Sequence, residues 1–357
     1  SNAWVQKAGS NTWKTATFHI NNARFANALS GGSDFRLDSL GDGNEWIHMV
    51  DVARQGGVSP TSTPTSQPGS PTPTWTPRPP NTPTVTPTPT TPPPSQGVWT
   101  VQWHGGDDLS GIDFANSQLG WAVGKGGHLL RTINGGQTWF YQQAAPAVDI
   151  EAVDFVDSSI GWAVGGDGKI WRSSDGGVSW AIQTTPTISR LMDVQFLDAS
   201  VGWAVGKSGV VLRTTNGGSS WALQTSNTTL DLSGLFAVDS DHAWAVGNLG
   251  AIVATSNGGQ TWAGQASGSQ QWLWDVAFTS LQNGWAVGEG GTLLRTSNGG
   301  ASWSPQYINE SRPLQAIIFA STQRGWLAGG QGTAWLTTDG GSSWTWTPTG
   351  QTQAITA

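Results

Sequence analysis

The stretch Gly120-Trp121-Ala122-Val123-Gly124-Lys125-Gly126-Gly127-His128-Leu129-Leu130-Arg131-Thr132-Ile133-Asn134-Gly135-Gly136-Gln137-Thr138-Trp139 decides the fold, because it recurs. Trp121, Trp162, Trp203, Trp244, Trp285 and Trp326 stand 41 residues apart. Five of them sit in Gly/Ala-Trp-Ala-Val-Gly, and the last reads Gly325-Trp326-Leu327-Ala328-Gly329. Trp139, Trp180, Trp221, Trp262, Trp303 and Trp344 form a second ladder with the same step. Five residues before each comes Asn134, Asp175, Asn216, Asn257, Asn298 or Asp339, always followed by Gly-Gly. A third ladder is glycine: Gly127, Gly168, Gly209, Gly250, Gly291 and Gly332. Six units run in register without an insertion.

A period near 40–45 with four short strands per unit is the signature of a β-propeller blade. In the first unit Leu109 to Ala115 reads as the innermost strand, with Ile112 and Phe114 on one face by alternation. Gly120 to Gly124 is the second strand, and Gly124-Lys125-Gly126-Gly127 is a turn that needs positive φ. His128 to Thr132 is the third, and Asn134-Gly135-Gly136 leads into an outer strand from Thr138 to Gln142. The fold expected is all-β, a propeller of six four-stranded blades, with seven as the alternative. Val98-Trp99-Thr100-Val101-Gln102-Trp103 matches an outer strand, and Gln353-Ala354-Ile355-Thr356 echoes an inner one. Either six units close a ring with an added edge strand, or a seventh blade has lost its middle strands.

Each recurring residue has a mechanical role. The Asx side chain is expected to accept hydrogen bonds from the backbone two residues on, and the glycines relieve the steric cost of the tight turn. The Trp that follows packs back over its blade, and the second-strand Trp fills the space between blades. Both ladders therefore read as core.

The flanks differ. Ser1-Asn2-Ala3 resembles an expression scar, 4–56 a small β fragment, 57–97 a linker and 98–357 the Asp-box propeller. The linker holds 14 of the 19 prolines, twelve threonines and one charge, Arg78. Such a tract buries too little surface to offset its ordering entropy, so it is expected to be disordered with polyproline II character. Pro/Thr spacers of this kind join secreted or surface modules. The expected location is extracellular or on the surface of a bacterium.

Composition narrows function further. The 357 residues include 49 Gly and 23 Trp but no Cys and two Met, with only 11% charged. A thiolate metal site and a Cys nucleophile are excluded. No run of 18 apolar residues exists, so no membrane span is expected. Residues 98–357 carry ten basic and eighteen acidic groups, a net of −8, which argues against nucleic-acid binding. A monomer is expected.

The run Leu130-Arg131-Thr132-Ile133-Asn134-Gly135-Gly136-Gln137-Thr138-Trp139 is an Asp-box hairpin. Preceded by Gly-Trp-Ala-Val-Gly, it resembles the photosystem II stability/assembly factor-like repeat family over residues 98–357. That resemblance implies a non-enzymatic propeller that serves as an assembly chaperone or scaffold for a protein partner. It also implies an arginine-rich partner surface, whose matching positions are Arg131, Arg172, Arg213 and Arg295, with Ala254 and Leu336 in the remaining blades. The alternative is a third-strand arginine that caps its own Asp-box turn. Residues 4–56 resemble the C-terminal half of a jelly-roll module appended to bacterial glycoside hydrolases.

Asp-box propellers include glycosidases, so chemistry needs a direct test. A sialidase needs a Tyr–Glu pair near the axis. Tyr141 falls in an outer strand and Tyr307 in an inter-blade loop. Asp149, Glu151 and Asp154 lie at the second inner strand, Asp107, Asp108 and Asp113 at the first, and Asp193 and Asp275 at equivalent places further on. These are candidates for a carboxylate pair, and equally for solvated loop acids. The five histidines form no ligand pattern, Asp107 and Asp108 lack a calcium-loop spacing, and the glycines open no phosphate-binding helix. No catalytic residue, metal or cofactor is expected.

What differs among near-identical blades points to the partner site. Trp272 and Trp274 enter the fifth inner strand, and Arg190 and Met192 the third. With Asp149 and Glu151 they make a mixed aromatic and charged rim, suited to a protein hot spot or to sugar stacking. The function expected is a secreted or surface scaffold for an unidentified protein, with an extracellular glycan as the alternative ligand.

Overall fold

The computed structural model describes residues 109–143 and 148–349. The expectations for 1–108 and 350–357, including the fragment, the linker, Val98–Trp103, Asp107, Asp108 and the echo at 353–356, lie outside the described residues. Within them are six four-stranded antiparallel sheets, each ordered as the chain runs. The first blade is β1 (Leu109–Phe114), β2 (Gly120–Gly124), β3 (His128–Thr132) and β4 (Phe140–Gln143). The inner strands of the others are Ile150–Phe155, Leu191–Phe196, Leu232–Ala237, Leu273–Phe278 and Leu314–Phe319. Each packs on the inner strand of the next blade, from β1 through Leu314–Phe319. Helix is confined to single 3-10 turns between second and third strands.

The outer strand of the first blade begins at Phe140, two residues later than the sequence implied. Thr138 is still part of the turn: its N–H donates to Asn134 Oδ1 at 2.9 Å. The Asx oxygen thus accepts from four residues on, not two. Thr132 completes the turn by donating its hydroxyl to Asn134 Oδ1 (3.0 Å) and accepting the Gly136 N–H (2.8 Å). Gly135 and Gly136 hold φ of 66° and 80°, which explains the paired glycines.

The two Trp ladders meet on one phenylalanine. Trp121 lies flat on Phe155 of the next blade, centroids 3.3 Å apart, and Trp180 meets the same ring edge-on at 5.6 Å. Trp162, Phe196 and Trp221 repeat the arrangement, as do Trp244, Phe278 and Trp303. The Trp121 indole N–H donates to Gly176 O across the seam at 3.0 Å. Outer-strand glutamines add a further link: Gln183 donates to Gly217 O and accepts from the Trp221 indole. The core is therefore built between blades as much as within them.

Carboxylates stitch the inner strands together. Asp113 accepts the Phe155 N–H (2.6 Å), Asp154 the Phe196 N–H (2.7 Å), Asp193 the Leu235 N–H and Asp275 the Ile317 N–H, both 2.8 Å. Gln195 does the same toward Ala237. Burial pushes Asp113 from 3.8 up to about 7. Burial, with the charges of Asp113 and Asp193, pushes Asp154 well above its ordinary value. Both hold protons in the folded state that the unfolded chain releases near pH 4. Their stabilising contribution is therefore complete below that pH and is lost as pH rises through the raised values, about 7 for Asp113. The melting temperature should fall between pH 5 and pH 8.5, and Asp154→Asn, which keeps an acceptor for Phe196, should flatten that fall. An equal fall in the variant would show that the loss originates elsewhere.

Candidate partner site at the channel mouth

Every inner strand starts with a register shift. Leu109 pairs with Gly124 and Gly111 with Val123, so Ser110 is an extra residue in the ladder. The same bulge singles out Glu151, Met192, Ser233, Trp274 and Gln315. A bulge bends the strand and re-aims one side chain. Here it repeats at one end of the channel, and five of those six residues line a single cavity.

The residue two places earlier is fixed by the glycine that ends each second strand. A Cβ on Gly206 would lie 2.2 Å from Arg190 O, and one on Gly288 2.1 Å from Trp272 O. The backbone can approach that closely only where no side chain intervenes. The N–H after that glycine then donates to the same carbonyl: Lys207 to Arg190 O and Glu289 to Trp272 O, both 2.9 Å. Arg190, Asp231 and Trp272 are thereby held on the rim.

The cavity measures about 250 Å³ and is lined by Glu151, Arg190, Met192, Asp231, Ser233, Trp272 and Trp274, with Lys125 and Lys207 from the turns and Leu109 and Ser110 from β1. Arg190 bridges blades: its Nε donates to Glu151 Oε1 at 2.7 Å and its Nη2 to Asp149 Oδ2 at 2.8 Å. Asp149 also accepts the Gly126 N–H, and that bond, with the charges of Arg190 and Lys125, holds its carboxyl below the ordinary value. Trp272 and Trp274 stack on each other, 4.7 Å between centroids and 13° from parallel. Their N–H groups are spoken for by Ser233 Oγ (2.5 Å) and Glu289 Oε1 (3.2 Å). Rigid half-buried rings beside a paired arginine form a surface that excludes water at low entropic cost.

Of the rim expected from sequence, Glu151, Arg190, Trp272 and Trp274 share this cavity, and Asp149 stands behind Arg190 as its second acid. Lys125, Lys207, Asp231 and Ser233 were not anticipated. Their signal is positional: Asp231 and Ser233 fall in the columns 149, 190, 231, 272 and 151, 192, 233, 274, and Lys125 and Lys207 in the column 125, 166, 207, 248, 289, all at the 41-residue step and all variable between blades.

The arginine ladder lies toward the opposite, Asp-box end, each member facing the second-strand Trp of its own blade. Arg172, Arg213 and Arg295 sit over those indoles at 5.6, 5.0 and 5.6 Å. The turns that Arg131 and Arg213 reach belong to the next blade, not to their own. Arg131 Nε donates to Gly176 O at 2.7 Å, and Arg213 Nη2 to Ser240 O at 3.0 Å. In the sixth blade, where Leu336 replaces the strand arginine, Arg324 covers Trp326 from the preceding loop. The inner-strand acids Asp113, Asp154, Asp193 and Asp275 are engaged by backbone N–H groups of the following blade. Among the described residues no group of three or more His, Asp or Glu is placed to hold a metal.

The sequence model of the family described as photosynthesis system II assembly factor YCF48 matches residues 143–270 and 265–352. The chain is similar in structure to YCF48 bound to D1 peptide, with TM-score 0.57 and 22% identity over 67% of this chain and 80% of that one. YCF48 from Cyanidioschyzon merolae aligns with TM-score 0.57 and 22% identity, over 69% of this chain and 87% of its own. An ancestral GH74 enzyme aligns at TM-score 0.47 and 15% identity, over 66% of this chain and 32% of that one. No curated protein matches the sequence.

Proposed function

The chain belongs to the photosynthesis system II assembly factor YCF48 family, and on that footing we propose that it is a non-enzymatic scaffold holding a segment of a client protein at the mouth of its channel. The observation that carries this is the concentration of blade-specific residues in one cavity, some re-aimed there by strand bulges and others held on its rim by the glycine that ends the neighbouring second strand. Packing favours uniform blades, so a cluster of side chains that differ from blade to blade around one cavity points to a task other than packing. A YCF48 protein has been solved with a D1 peptide bound, and a peptide is the class of ligand proposed for this chain.

Hydrolysis is disfavoured by how the carboxylates are used. Glu151 and Asp149 are both tied to Arg190. Asp113 and Asp154, whose proton affinity burial raises, accept backbone N–H groups. The stacked Trp272–Trp274 pair supports a second reading, a saccharide ligand. A location outside the cytoplasm is part of the proposal and has the Pro/Thr tract as its support.

The test is a selection of phage-displayed random dodecapeptides on the full chain, beside a glycan array. Enrichment of peptides whose binding weakens at least about tenfold on Trp272→Ala supports the client reading; tenfold is about 1.4 kcal/mol, within the range of a hot spot. Glycan binding lost on the same substitution, with no peptide enriched, replaces it with the second. Turnover of any glycoside, abolished by Glu151→Gln, removes the non-enzymatic claim.

A further inference from the structure

Two turns on the same face, at Leu249 and Gln331, are built against the conformational preference of their residues, and Leu249 is the apolar one. The position between second and third strands is left-handed in all six blades: Gly126 (φ 69°), Asp167 (56°), Ser208 (59°), Leu249 (52°), Gly290 (63°) and Gln331 (55°). Glycine adopts this region freely, and Asp and Ser have short polar side chains that bond locally. Leucine has neither property, and in this conformation its Cβ crowds the backbone. The turn cannot relax. Asn248 N–H donates to Asp231 O at 2.9 Å on one side, and Gly250 lies so close to Ser269 O on the other that a Cβ would sit 2.1 Å from it.

Among the described residues, packing leaves Leu249 largely in solvent. Leu249 is 53% exposed. It is two residues beyond Gly247, whose backbone abuts Asp231 on the cavity rim, and its turn packs on the inner strand Leu273–Phe278 that carries Trp274. Trp272 reaches back onto that same blade through Ser233. Ile188, two residues before Arg190, is 88% exposed on the same face. A bulky apolar group held in an over-determined strained turn, open to solvent beside a cavity, is where strain marks function.

Resting on the client reading above, we infer that Leu249 is an anchor of that interface, which together with Trp272 receives an uncharged apolar side chain of the client segment. The charged groups at the mouth are of mixed sign, Lys125, Arg190 and Lys207 with Asp149, Glu151, Asp231 and Glu289, and Arg190 is already paired with Asp149 and Glu151. With that central cation engaged inside the chain, apolar contact carries the affinity. A saccharide ligand would have no use for an aliphatic group here.

The experiment uses the selected dodecapeptides, resynthesised, against the full chain. Leu249→Asn removes the apolar group while tolerating the left-handed turn. It should weaken peptide binding about tenfold or more, while the melting temperature holds or rises by roughly 2–4 °C. Leu249→Met should restore binding to within about threefold, because it restores the apolar group. Wild-type affinity in Leu249→Asn, with binding lost in Trp272→Ala, would overturn the anchor and leave the client reading intact. Equal loss in Leu249→Met and Leu249→Asn would show a positional effect of the turn, and would also overturn it. Absence of any selected peptide would overturn both.

Discussion

Replacing Trp162 by Ala should lower the stability of the propeller by about 3–5 kcal/mol, the range for truncating a fully buried tryptophan. Trp162 is 0% exposed. It stacks on Phe196 of the next blade and donates its indole N–H to Gly217 O at 3.2 Å. The loss therefore combines cavity formation, an aromatic contact and an inter-blade hydrogen bond. Trp203, one blade on, provides the internal comparison. Its neighbour at the Phe196-equivalent position is Ala237, and its indole nitrogen has no hydrogen-bond partner. Trp203→Phe should thus cost less than Trp162→Phe, because the second deletes a bond and the first deletes a buried unsatisfied donor. Denaturant titration of the three variants decides this. Equal costs for the two Trp→Phe changes would mean that the indole bond contributes nothing to the seam.

Gly288→Ala should cost about 1–3 kcal/mol, the usual price of overpacking, and should disturb partner binding as well. The added Cβ would fall 2.1 Å from Trp272 O and 3.0 Å from Leu273 Cα, and both obstacles are backbone. The strand that carries the tryptophan pair must therefore move. Gly264→Ala is the control, since nothing lies within 4 Å of a Cβ there. It should be close to neutral in melting temperature and in peptide affinity. If Gly288→Ala loses stability while its peptide affinity is unchanged, the rim geometry is not what holds the partner.

How much was legible beforehand follows from what packing demands. The two Trp ladders recur because the seams place one ring from each around a shared phenylalanine, at Phe155, Phe196, Phe278 and Phe319, so the ladders announced the blade. Blade uniformity also made exceptions conspicuous, which is why Trp272, Trp274 and Arg190 could be singled out. The bulge was not visible: all six blades carry it, so it changes no spacing. Without it Ser233 reads as an ordinary strand residue, whereas Met192 stood out only by differing from its column. The arginines deceived for a related reason. Arg131 is as near in sequence to its own Asp-box turn as a cap would be, but adjacent blades bring Gly176 within reach, and a repeat period does not say which turn a side chain meets. Leu249 was open to notice in its column of Gly, Asp, Ser and Gln, though only the backbone angle turns that oddity into strain.

The most direct test of the central claim is hydrogen exchange on the full chain with and without a selected peptide at saturating concentration. The account predicts protection at 149–151, 190–192, 231–233, 248–250 and 272–274, which form the mouth of the channel, and none at the Asp-box turns such as 134–138 and 216–220. Protection centred on the Asp-box face and its arginine ladder, with the mouth unchanged, would contradict it.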